Sequence, residues 1–489
     1  TAQIRHYGRE AGGRRMMEAG NRTVQETRHT DSAVPVELGT EPIGKLLKAY
    51  ALPAIIAMTA SSLYNMIDSI FIGHGVGPLA LAGLALTFPL MNLSSAFGTL
   101  VGVGGSTILS VLLGQKNYAA SNKVVSNIVT LNLIIGLLFT VAVLLFLDPV
   151  LYFFGASENT IVYAREYMQV ILYGNIITHV YFGLNSALRA SGAPKKAMFL
   201  TLLSVVLNVA LAPVFIFWLG MGIRGAALAT VIAQVISLCF SMKHFSNPAN
   251  AVHFEKGIIR LNWRIAKDSL AIGFGPFLMN SAACLVSLFI VQQFSKYSGD
   301  LGIGAYGIDN RVTFIFIMIC MGLNQGMQPI AGYNYGARKY SRVKEVYRKT
   351  VIYATAVTSL CFIVSVFFPD IVTRIFTDDE ELTVMANHGL KIMNIVFPFV
   401  GFQIVSTNLF QCLGMVNKSI FLSLARQILC LLPVLYLLPL AIEADGIWWS
   451  FPISDAVATI LTVILIIQLV HKLRRLKDGD DPAILGSKI

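Results

Sequence analysis

The chain has 489 residues, of which 55% are hydrophobic and only 13% charged, where a soluble domain averages about 25% charged. That balance excludes an ordinary water-soluble enzyme and places the chain in lipid. The formal charge of +11 does not point to nucleic acid, because Lys and Arg lie between the apolar stretches and do not gather on one amphipathic segment with interleaved aromatics.

Residues 1–42 are polar and Arg-rich, lack an apolar core, and are expected to form a disordered cytoplasmic tail. Hydropathy and breakers then predict spans at 46–73, 79–112, 124–147, 161–189, 196–219, 223–242, 265–294, 303–333, 346–368, 383–412, 419–439 and 447–470. Stretches such as Ile128–Leu147 and Met198–Leu219 contain no Asp, Glu, Lys or Arg, and a bilayer crossing takes roughly 20 such residues. The expected organisation is a bundle over 43–242, a cytoplasmic linker over 243–264, a second bundle over 265–471 and a tail over 472–489.

Charged side chains inside spans are costly and are functional candidates by default. Asp68 lies 20 residues after Lys48, about 30 Å along a helix, which puts it in the outer part of the first span. A carboxylate there takes up a proton when desolvated and releases it when water or an opposite charge arrives. It also offers hard oxygen ligands to sodium, and the plainer alternative is a helix end solvated near His74. His179 in the fourth span is a relay candidate, set against a hydrogen-bonded packing role. Asp309 and Arg311 open the eighth span at a spacing that keeps them from facing each other. Arg426 and Asp455, in the eleventh and twelfth spans, are candidates for a buried ion pair. For these four charges structural pairing or snorkelling competes with gating. Pro53, Pro89, Pro213, Pro276, Pro329, Pro398, Pro433 and Pro452 fall within spans and invite kinks, although proline is common in membrane helices. The six cysteines stand singly, as packing thiols do, and no metal-ligand spacing is present.

With a cytoplasmic N-terminus, basic residues crowd the inner connections, as in the run Arg338, Lys339, Arg342 and Lys344. The outer connections hold only Arg224, Lys296 and Arg374. The positive-inside rule then puts both termini in the cytoplasm and requires an even number of spans. The chain also repeats itself. Gly114, Lys116, Tyr118 and Val124 match Gly336, Arg338, Tyr340 and Val346 at an offset of 222, and Asp148, Phe154, Gly192 and Lys196 match Asp370, Phe376, Gly414 and Lys418 at the same offset. Six spans separate the copies, so both halves enter the membrane from the same side. The fold class is therefore an all-α polytopic membrane protein: twelve transmembrane helices in two six-helix bundles related by a pseudo-twofold axis along the membrane normal.

The segments Tyr64–Gly75, Leu188–Met198, Gly222–Gln234 and Gln328–Glu345 resemble the multidrug and toxic compound extrusion (MATE) family, bacterial type, and the similarity runs from Ile43 to Leu476. The resemblance implies a cation-coupled antiporter of the bacterial inner membrane that exports small, often aromatic or cationic compounds by alternating access. It implies a coupling site at Asp68 with Asn208 and Thr230 beside it. Ala212, just before Pro213, stands where many bacterial members carry a second acid, which favours a proton over sodium, with Na+ retained as an alternative at Asp68. Aligning Pro53 with Pro276 sets Val291 opposite Asp68, and the seventh and tenth spans lack the carboxylates some members use, so the coupling site is expected in the N-terminal half.

No cofactor, nucleic acid or metal cluster is expected, and the chain is read as a monomer whose partners are small-molecule substrates and the bilayer. The runner-up is a lipid-linked precursor flippase of related fold, which would need a strongly cationic cavity to hold phosphate headgroups. A non-transport membrane protein is the remaining alternative. An enzyme is disfavoured because no nucleophile, zinc or Walker motif is present.

Overall fold

The computed structural model describes residues 36–255 and 258–481, and among these every regular element is helical. Ten helices are long and apolar enough to cross a membrane: Ile43–Gly75, Leu79–Gly114, Tyr118–Leu145, Pro194–Trp218, Ile223–Phe245, Trp263–Gly299, Leu301–Gly336, Tyr340–Phe367, Val416–Leu437 and Pro439–Arg475. The pair Glu380–Met393 and Phe397–Cys412, bent by 50°, makes an eleventh. The remaining expected span, the fourth, is the 30-residue helix Ile161–Ala190, too polar to pass on composition. It is packed against the second, third and sixth spans, and Asn175, His179 and Asn185 are buried. A helix surrounded by protein tolerates polar residues that lipid would reject.

Helix boundaries follow local chemistry. The third span starts at Tyr118, earlier than the expected 124, because the Asn117 side chain accepts from the Ala120 amide at 3.1 Å and caps it. The ninth starts at Tyr340 rather than 346. There Asp478 accepts from the Ser341 amide at 2.9 Å and from its hydroxyl at 2.5 Å. Burial raises the Asp478 carboxyl, and the Ser341 bonds outweigh that and hold it below its ordinary value. The seventh and eighth spans meet at Gly299, whose φ of 60° only glycine adopts readily. The fifth and eleventh spans each carry a π-helical stretch, Val214–Trp218 and Ala425–Leu431, beside Pro213 and Pro433, which lack the amide hydrogen a regular helix uses.

The sequence repeat recurs as geometry. Lys116 and Arg338 both adopt positive φ, 59° and 55°, and so do Gly192 and Gly414, at 94° and 67°. Arg165 binds Asp148 through two bonds of 2.7 and 2.8 Å, and at the related positions Asn387 donates to Asp370 at 3.0 Å. That bond and one from Arg374 hold the Asp370 carboxyl below its usual range.

Both described ends of the chain meet at the face bearing Arg338, Lys339 and Arg342, called the basic face below. Residues 1–35 of the expected N-terminal tail, 482–489 of the expected C-terminal tail and Lys256–Gly257 of the linker lie outside the described residues. Residues 36–42, expected in the disordered tail, hold a helical turn, Glu37–Thr40, whose Leu38 is fully buried. Its carbonyls are gripped from the second bundle: Asn334 donates to Leu38 at 2.9 Å, Lys339 to Gly39 at 2.8 Å, and Arg342 to Leu38 and Glu41 at 3.1 and 2.6 Å. A backbone that finds such donors and an apolar niche for Leu38 is ordered despite its polar sequence. The linker is likewise pinned to the third span, by the amides of His253 and Asn262 donating to Asn122 and Asn127.

Near the basic face the two bundles touch main chain to main chain. A Cβ built on Gly114 would lie 1.9 Å from the Tyr333 carbonyl oxygen, and one on Gly336 would lie 2.0 Å from that of Val111. A Cβ built on Gly104 would lie 1.9 Å from the Ser269 carbonyl oxygen, and one on Gly273 would lie 1.8 Å from that of Leu100. The first pair is reciprocal under the repeat, as a twofold axis between the bundles requires. Gln328 adds bonds to Ser106 and Thr107 at 3.0 and 2.9 Å.

Candidate functional site

Asp68 sits in the half of the first span away from the basic face, only 4% exposed, and its Oδ1 has no hydrogen-bond partner. Tyr64, one turn earlier on the same helix face, and Tyr167 from the fourth span both lie within electrostatic reach of it. Tyr64 also interacts with the hydroxyl of Thr230. Across the fifth and sixth spans, the Asn208 amide donates to Thr230 Oγ1 at 2.8 Å, and that hydroxyl donates onward to the Ala226 carbonyl at 3.2 Å. The site thus contains one carboxyl, two phenols, an amide and a hydroxyl, drawn from four helices. Ala212 is fully buried in the apolar cluster that holds Ile72 and Tyr167.

A bare carboxylate in such surroundings is expensive unless paired, and no ion pair among the described residues involves Asp68. The arrangement suits a group that exchanges one small cation as water enters and leaves. Among the described residues no cluster of three or more His, Cys, Asp or Glu could hold a metal ion.

The other candidates are placed elsewhere. His179 is fully buried, with Nε2 at 3.1 Å from Ser94 Oγ and Nδ1 unpartnered; Ser94 also donates to Asn175 at 2.6 Å, and Asn175 to Thr140 at 3.2 Å. Arg426 donates to Asp455 at 2.7 Å between the eleventh and twelfth spans, while Gln403 binds the Asp455 carbonyl at 2.7 Å. Asp309 is fully buried and Arg311 exposed, so the two diverge. Two participants escaped the sequence reading. Tyr64 carries a signal, its position four residues before Asp68; Tyr167 has none, because its approach depends on helix packing.

Two stretches of the chain, 53–214 and 276–437, each match the model of the family described as MatE. Among curated proteins, the multidrug export protein MepA of Staphylococcus haemolyticus (strain JCSC1435) is 28% identical over 431 residues, covering 88% of this chain and 95% of that protein. MepA of Staphylococcus aureus (strain MSSA476) is 26% identical over 432 residues, with the same shares covered. Among solved structures, the MATE multidrug transporter DinF-BH has a TM-score of 0.83 at 34% identity, covering 88% of this chain and 96% of that one. A MATE crystal structure in a bent conformation has a TM-score of 0.85 at 24% identity, covering 90% and 98%.

Proposed function

The chain belongs to the MatE family, and from that premise we propose that it is a proton-coupled antiporter that exports small aromatic or cationic organic compounds by alternating access. The observation that carries the reading is Asp68, a buried carboxyl with an unpartnered oxygen among Tyr64, Tyr167, Asn208 and Thr230. Water reaching the site draws a proton from the carboxyl, and closure restores the neutral acid. The related proteins named as multidrug exporters support the substrate class. Ala212 supports a proton over sodium, because the family resemblance sets a second acid at that position in many members and this chain has a buried methyl group there.

The protein acts as a monomer in the bacterial cytoplasmic membrane, and the basic face is cytoplasmic. Arg426, a basic side chain within the second bundle, is neutralised by Asp455, which removes it from the groups that could hold the phosphates of a flippase substrate.

Asp68→Asn is expected to reduce ion-driven efflux to background while folded protein remains in the membrane. Ethidium transport by purified protein in proteoliposomes, driven by a pH gradient and separately by a sodium gradient, checks this. Wild-type rates from Asp68→Asn would refute the site, and drive by sodium alone would refute the ion.

A further inference from the structure

The second bundle buries an acid that the reading above does not use, and we propose that Asp309 is a second proton site, loaded and emptied in the C-terminal bundle as Asp68 is in the N-terminal one. This rests on the proton-coupled reading of Asp68. Asp309 is fully buried, and neither carboxyl oxygen has a hydrogen-bond partner.

Its surroundings are aromatic. Tyr306, one turn earlier, lies within electrostatic reach, and its ring stacks on Phe294 at 5.4 Å, which in turn meets Trp448 at 4.6 Å. Phe451 stacks on Tyr306 from the twelfth span at 6.1 Å. The titratable group facing Asp309 is the Tyr306 phenol. On the tenth span His388, next to Gly389, is turned to Asp445 at 2.9 Å on the exposed edge. Arg311 points away, and Arg426 is taken by Asp455. A bare carboxylate among rings costs far more than the neutral acid. Sodium would need a shell of several oxygens, and beside the rings and the glycine the Tyr306 phenol adds only one to the carboxyl's own; a proton needs none.

The repeat explains how the acid fits. Gly389 is 222 positions after Tyr167, the residue that brings a phenol to Asp68. A Cβ built on Gly389 would lie 2.3 Å from Asp309 Oδ2 and 2.6 Å from the Trp448 ring. One bundle thus fills this position with a tyrosine, and the other empties it to admit a carboxyl from the eighth span. Both acids lie in the half away from the basic face. When water enters, it accepts the Asp309 proton as hydronium and leaves a carboxylate; closure reverses the transfer. Each cycle then moves two protons, one per bundle.

The test uses full-length purified protein in nanodiscs, with the infrared carbonyl stretch of neutral carboxylic acids followed from neutral to alkaline pH. In parallel, protons released on adding ethidium in weak buffer are counted with a pH-indicator dye. Wild type is expected to show two buried-acid bands. Asp309→Asn should remove one and halve the proton count, and Asp68→Asn should remove the other. Unchanged bands and an unchanged count in Asp309→Asn would overturn the proposal. If Asp68→Asn alone leaves the count intact while the Asp309 band persists, the Asp68 reading fails and this one stands. Should Asp309→Asn not fold, Gly389→Ala sets a methyl against Oδ2 and is expected to shift the Asp309 band; no shift overturns the assignment.

Discussion

Arg426 and Asp455 show what a charge in the bundle interior requires, with side chains 28% and 8% exposed and 2.7 Å apart. Removing one partner strands the other, so Arg426→Leu or Asp455→Leu alone is expected to destabilise the protein by about 3–5 kcal/mol. Replacing both with apolar residues should recover most of that loss, a non-additivity that thermal unfolding of the four proteins in detergent measures. Asp68 was legible in the sequence because a carboxylate in an apolar run is rare whatever surrounds it. The isolation of Asp309 was not legible. Its missing partners and the room left by Gly389 arise from contacts between the eighth and tenth spans, some eighty residues apart, and no periodicity encodes an absence.

Hydropathy locates helices by their lipid-facing side, which is why most spans were legible and the fourth was marginal. That helix hides Asn175, His179 and Asn185 inside the bundle. The bend of the tenth span and the π-helical stretches could be suspected from prolines but not distinguished from straight helices that tolerate them. The turn Glu37–Thr40 was illegible, because its order comes from donors three hundred residues away. This turn leads into the first bundle and is held by the second, so it fastens the two at the basic face. Arg342→Ala removes the two bonds that this charged donor makes to the turn, each worth about 1.5–3 kcal/mol, and should shift the closed-to-open ratio at that face by roughly tenfold or more. Distances between spin labels on the turn and on the ninth span, measured in nanodiscs, check this; an unchanged distribution would show that the turn fastens nothing.

For the molecule as a whole, the repeat was the most informative signal, since an ungapped offset of 222 recurs as paired dihedrals, paired hydrogen bonds to an aspartate and reciprocal glycine contacts. The proposed orientation rests on charge. In a background with the native cysteines replaced, cysteines placed at Ser341 on the basic face and at Glu158 on the opposite one should react differently with a membrane-impermeant thiol reagent in whole cells. Glu158→Cys is expected to be labelled and Ser341→Cys protected, and the reverse pattern would invert the molecule in the bilayer. The closure at Gly114 and Gly336 has a further consequence, because carbonyl oxygens meet glycine α-carbons with no side chain between. Rotamers cannot loosen such a joint by degrees. It is seated or parted, as packed interfaces with two discrete arrangements are, and under the proton coupling proposed above a joint without a half-open setting would deny water a thread along which protons could slip uncoupled from cargo.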